Sequence, residues 1–176
     1  MGYYVNIQET DIFIAKEDFE NCYKAMCELN DHDEWKTGGG SGMTVNGITY
    51  SSKDPRPEGL NYHPAKWFSW MAPNYPELIH NFQSLMQEVG FDVKYDDSGN
   101  LIRLWYDNKT GAEGLFLYAI AKWVRDGSYI IWHGEDNVFW KNTFSNGTMY
   151  ELPGEITYSY SYAKPFIPKE YVSLFG

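Results

Sequence analysis

The stretch SYIIWHGEDNVFWKNTFSNGTMYEL, residues 128–152, decides the fold. Residues 128–133 and 137–144 flank Gly134-Glu135-Asp136, a hairpin signal. Gly134-Glu135-Asp136 turns the chain into a second strand at 137–144, and Ser145-Asn146-Gly147 turns it into a third at 148–152. Strands joined this tightly run antiparallel, because a parallel crossover needs a dozen or more residues. Residues 155–162 alternate strictly, with Tyr158, Tyr160 and Tyr162 on one face and Ser159 and Ser161 on the other.

Working back from this meander, Thr110-Gly111-Ala112-Glu113 has the spacing of a capping box, which predicts a helix over 112–125 closed by Gly127. That helix is apolar on most faces and is expected to be the most buried element. Residues 91–96 and 100–106 flank Asp97-Ser98-Gly99, another hairpin signal. A helix over 75–89 carries Pro76 in its first turn, a stripe of Leu78, Ile79, Phe82, Leu85, Met86 and Val89, and Gly90 at its end. Near the start, short strands at 3–8 and 11–15, or one strand broken near Glu9-Thr10, precede a helix over 17–30, with Phe19, Cys22, Tyr23, Met26 and Cys27 at helical spacing. Residues 31–74 are the least regular part, with a glycine run at 38–42, a short strand at 43–50, and an aromatic cluster at 62–71. The run Gly38-Gly39-Gly40-Ser41-Gly42 reads as a flexible linker. The expected class is α+β: one domain over 1–176, with a meander-type antiparallel sheet packed against three helices. Residues 31–74 form a loop-rich insertion, and 151–176 a Tyr-rich C-terminal extension.

The chain has 176 residues, 43% of them hydrophobic and 18% aromatic, enough for a full core. Its net charge of −10, from 24 acidic and 14 basic residues, argues against direct nucleic-acid binding. An acidic surface attracts basic partners instead. The start of the chain has no basic, apolar leader pattern and no run long enough to span a membrane, so a cytoplasmic protein is expected. Cys22 and Cys27 lie five positions apart on one predicted helix, with side chains about 140° apart, so they do not pair while the helix persists.

Several clusters carry possible chemistry. Arg56, Tyr62, His63, Lys66 and Trp67 could form a ligand pocket, with rings to stack a base and cations to meet phosphate. Asp31, Asp33, Glu34, Asp96, Asp97, Glu135 and Asp136 could present one acidic face to a basic partner. Asp31, His32, Asp33 and Glu34, joined in space by His63, His133, Glu135 and Asp136, could hold a metal, but no fixed ligand spacing is present. Cys22 and Cys27 read as core, Ser41 lies outside any GxSxG pattern, and Ser69 has no assignable base. No cofactor and no metal are expected.

The segments MGYY (1–4), YHPAKWFSWM (62–71), YDNKTG (106–111) and WHGED (132–136) resemble, as a set, small proteins of bacteriophages, prophages and their bacterial hosts. The resemblance spans about residues 1–150 and carries over no catalytic residue. It implies a cytosolic accessory protein of a mobile element, of the kind that includes inhibitors of host defence. The leading functional expectation is therefore a non-enzymatic inhibitor. It would bind a host protein such as a nucleic-acid-binding nuclease, in the manner of an anti-CRISPR protein, with no contact to nucleic acid or membrane. A protein that sequesters a small nucleotide signal through the residue 56–67 cluster is the second expectation, and a metal-dependent hydrolase the third.

Overall fold

The computed structural model describes residues 2–157, together with Ser161 and Lys164. Strand β1 (Tyr4–Asp11) leads into helix α1 (Phe19–Glu28), which 3-10 turns extend over Lys16–Asp18 and Leu29–Asp31. Four short strands follow: β2 (Gly38–Gly39), β3 (Ser41–Val45), β4 (Ile48–Ser51) and β5 (Lys66–Trp67). Next come α2 (Tyr75–Leu78), α3 (Phe82–Val89), β6 (Asp92–Tyr95), β7 (Leu101–Trp105) and β8 (Asp107–Lys109). Helix α4 (Glu113–Ile120) precedes β9 (Tyr129–Gly134), β10 (Phe139–Ser145) and β11 (Thr148–Gly154). The class is α+β.

The main sheet has five antiparallel strands in the order β11-β10-β9-β1-β8. The meander predicted from residues 128–152 supplies three of them. The N-terminal strand supplies the fourth by inserting between β9 and β8, with Ile7 opposite Trp132 and Val5 opposite Gly134. Alternation sets which side is buried. Trp140, Asn142 and Phe144 of β10 share the inner face with Trp132 and Ile130 of β9, while Lys141 lies on the outer face over the Tyr129 ring. Helix α4 covers that inner face near β11 and packs on α1. Phe68, Tyr75 and Phe116 meet edge to face, as do Phe91, Tyr106 and Trp132 in part. Each such contact adds roughly 0.5–1.5 kcal/mol beyond the area buried.

Several expectations need correction. The hairpin expected at 91–106 is present as β6-β7, but as a two-stranded sheet of its own, tied to the rest through bridges of Ile14 with Leu101 and Val124. The helix expected over 75–89 is two helices. Ile79 is extended, and the Asn81 side chain accepts the Ser84 N–H at 2.8 Å, so Asn81 starts a new helix rather than continuing an old one. The helix expected over 112–125 ends at Ile120 and tightens into a 3-10 turn before Val124 extends. The glycine run is not a free linker: Gly38–Gly39 pairs with Lys66–Trp67, and the Trp67 indole lies so close to Gly38 that any Cβ there would collide. The single strand expected at 43–50 is a hairpin, β3-β4, turned at Asn46-Gly47 with φ of 51° and 78°. Glu151 through Gly154 belong to β11, so the boundary expected at residue 151 falls inside a strand. Residues 155–157 are irregular, and the Tyr158, Tyr160 and Tyr162 stripe lies outside the described residues. No described helix is long and apolar enough to cross a membrane.

Candidate functional site

The residues expected to form a ligand pocket do not surround one cavity. Arg56 turns back on the end of α1. Its Nε donates to Asp33 at 2.8 Å, and its other nitrogens donate to the carbonyls of Asn30, Asp31 and Asn61. His63 is fully buried: its Nδ1 accepts the Ala65 N–H at 3.1 Å, which leaves Nε2 to donate to the Asp54 carbonyl at 2.8 Å. Tyr62 lines a small recess with Cys27, Asn30 and Asn74, whereas Lys66 lines a separate polar cavity with Lys36, Thr37 and Ser52. Trp67 packs against Gly38 and Gly40.

The acidic residues are equally dispersed. Asp33 bridges Arg56 and the hidden amine of Lys36, the latter at 2.7 Å. Burial would raise its carboxyl, but the hydrogen bonds from Arg56 and Lys36 outweigh that and hold it at about 2. Asp31 sits 3.6 Å from Arg56, and exposed Glu34 bonds His32. Asp96 caps its own turn through the amides of Ser98 and Asn100, with exposed Asp97 beside it. This turn lies beyond the Asp11 end of β1, next to Lys16, whereas Glu135 and Asp136 lie at the Tyr4 end. At about 3.3 Å per residue these ends are some 23 Å apart. Among the described residues, no three His, Cys, Asp or Glu side chains are gathered to hold a metal ion.

A cavity of about 470 Å³ between the start of α4 and the inner face of β9–β11 brings together a different set, including Tyr3, Glu113, Trp132, Trp140, Asn142 and Glu151. Glu113 is 7% exposed. The Thr110 hydroxyl donates to its Oε1 at 2.5 Å, and the Gly111 N–H donates to its Oε2 at 2.6 Å. The capping-box residues thus meet, but the carboxylate closes the preceding turn rather than the helix, and the Ala112 cap makes no side-chain bond. No cation lies within ion-pair distance of Glu113 among the described residues. Burial first, and then the charge of Glu113, push the Tyr106 hydroxyl well above its ordinary range.

Asn142 is 3% exposed. Its Oδ1 accepts the Trp132 indole N–H at 2.7 Å, which fixes the amide orientation and leaves Nδ2 without a partner among the described residues. Such an orphan donor typically costs about 1–3 kcal/mol. The register sets exposed Glu151 directly opposite Asn142, and Trp140, stacked on Trp132 at 5.9 Å, occupies the next row. Tyr3 lines the mouth and bonds Asp136, whose carboxyl is thereby held below its usual range. The cavity therefore offers carboxylates and an aromatic wall, with the covered Asn142 amide behind them.

In the sequence Glu113 has the place of a cap, and Trp140, Asn142 and Glu151 those of strand residues. The usable signal was an amide at an inward position between Trp140 and Phe144, where period-2 alternation calls for an apolar side chain. No family model, curated protein or solved structure matches the chain.

Proposed function

We propose that this chain is a non-catalytic, phage- or prophage-type binding protein that blocks a nucleic-acid-binding nuclease of a host defence system, with the cavity under α4 receiving a basic group of that partner. The observation that carries the reading is the buried Glu113 carboxylate, hydrogen-bonded on both oxygens yet lacking a counter-ion among the described residues, beside Glu151 in one cavity. A charge removed from water costs several kcal/mol unless it is compensated. Two hydrogen bonds reduce that cost, and a partner's cation lowers it further. The net charge of −10 supports the same polarity of partner, since such a field speeds the approach of a basic surface. The phage and host-defence part rests on the sequence resemblance.

The test is phage plating on bacteria that carry a nuclease-based defence, with the chain expressed in the host. Plaque numbers should recover with the wild-type chain and fall back with Glu151→Gln or Glu113→Gln. Binding of the purified nuclease should weaken steeply as salt rises. Unrestored plaques across nuclease-based defences, or binding indifferent to salt, would overturn the reading.

A further inference from the structure

The structure assigns to the cavity under α4 one arginine of an extended partner segment, an assignment that rests on the binding reading above and names its ligand. Three observations select this chemistry. First, Glu113 and Glu151 line the same cavity, one rigidly held by Thr110 and Gly111, the other exposed on a long stem. A planar guanidinium with five N–H groups can meet two carboxylates from different directions, which a compact ammonium does less well. Second, Trp140 forms part of the wall, and a guanidinium stacks on an indole face while it donates in its own plane. Third, Asn142 Nδ2 is a buried donor without an acceptor among the described residues. A guanidinium offers none, but the main-chain carbonyl of the segment that carries the arginine does. Nδ2 is covered, so the acceptor reaches it once a neighbouring side chain turns aside. The cavity volume of about 470 Å³ lies within the roughly 300–1,000 Å³ usual for ligand sites.

The full chain, labelled with ¹⁵N, is titrated with N-acetyl-arginine methylamide, its lysine counterpart, and guanosine, whose donor and acceptor edge is the main chemical rival. The arginine amide should move the Asn142 side-chain amide and Trp140 indole signals, and should bind at least ten-fold more tightly than the lysine amide. Glu151→Gln should weaken it several-fold. Glu113→Gln should weaken it at least ten-fold; should that variant fail to fold, Glu151→Gln decides. Equal binding of the two amides, no movement at Asn142, tighter binding of guanosine, or indifference to Glu151→Gln would each overturn the assignment. Arginine binding without plaque recovery would sink the host-defence reading alone. Plaque recovery without arginine binding would sink this assignment alone.

Discussion

Replacing Asp33 with Asn tests what holds the irregular residues 31–74 against the core. Asp33 accepts from Lys36 at 2.7 Å and from Arg56 at 2.8 Å, and Arg56 also ties down the carbonyls of Asn30, Asp31 and Asn61. Holding the carboxyl at about 2, against its ordinary 3.8, corresponds to roughly 2 kcal/mol at about 1.4 kcal/mol per pKa unit. Burial of Lys36, which lowers its amine, takes back part of that gain. The variant, however, leaves the wholly hidden Lys36 side chain without its counter-charge, and orphaned buried charges cost about 3–5 kcal/mol. Because Arg56 stays partly exposed, we expect a loss near the lower end, about 3 kcal/mol. Urea unfolding at neutral pH, followed by Trp fluorescence, measures it. Asp33→Asn/Lys36→Met should recover most of the loss, since an apolar pair of similar volume needs no compensation. The pH dependence has a definite sign. A carboxyl lowered on folding stabilises fully above its ordinary value and loses that effect as pH falls through the lowered one. The gap between wild type and Asp33→Asn should therefore narrow as pH drops from about 4 to about 2. A loss below about 1 kcal/mol, or a double variant no more stable than the single one, would refute the idea that this ion network anchors the segment.

Asn142→Asp keeps the acceptor for Trp132 but buries a carboxylate beside Glu151 and Glu113; it should cost roughly 3 kcal/mol at neutral pH. Burial and like charge raise the new carboxyl, so that cost should shrink as pH falls toward 5, and a cost constant with pH would contradict the placement. Gly38→Ala drives a methyl into the Trp67 indole and should lower stability by roughly 1–3 kcal/mol, read as a drop in Tm. Burial pushes the Cys22 thiol up to about 12, so iodoacetamide at about pH 8 should modify Cys27 first and reach Cys22 only on unfolding, as mass spectrometry of timed samples will show.

The long elements were legible because their signals are local. The turns at Gly134-Glu135-Asp136 and Ser145-Asn146-Gly147 and the strand-length segments they separate define β9–β11 without reference to the rest of the chain. Two misreadings were also local. Asn46-Gly47 is a strong hairpin signal inside what was read as one strand, and Asn81 is a good helix cap inside what was read as one helix. The glycine run failed differently: its pairing with Lys66–Trp67 depends on an indole arriving from some 28 residues downstream, which no window around residues 38–42 contains.

The site divides along the same line. The sequence by itself determined the class, the antiparallel meander, the acidic balance and the Thr110-to-Glu113 spacing, because each depends on residue order or on a sum over residues. It could not say which acids stay exposed. Asp33, read as surface charge, is bound between Arg56 and Lys36, while Glu113, read as a cap, ends buried without a cation among the described residues. Only the tertiary structure laid α4 over the sheet face where Asn142 stands opposite Glu151 and beside Trp140. Which polar groups share a cavity is set by long-range register and packing, and that information resides in no single stretch of the chain.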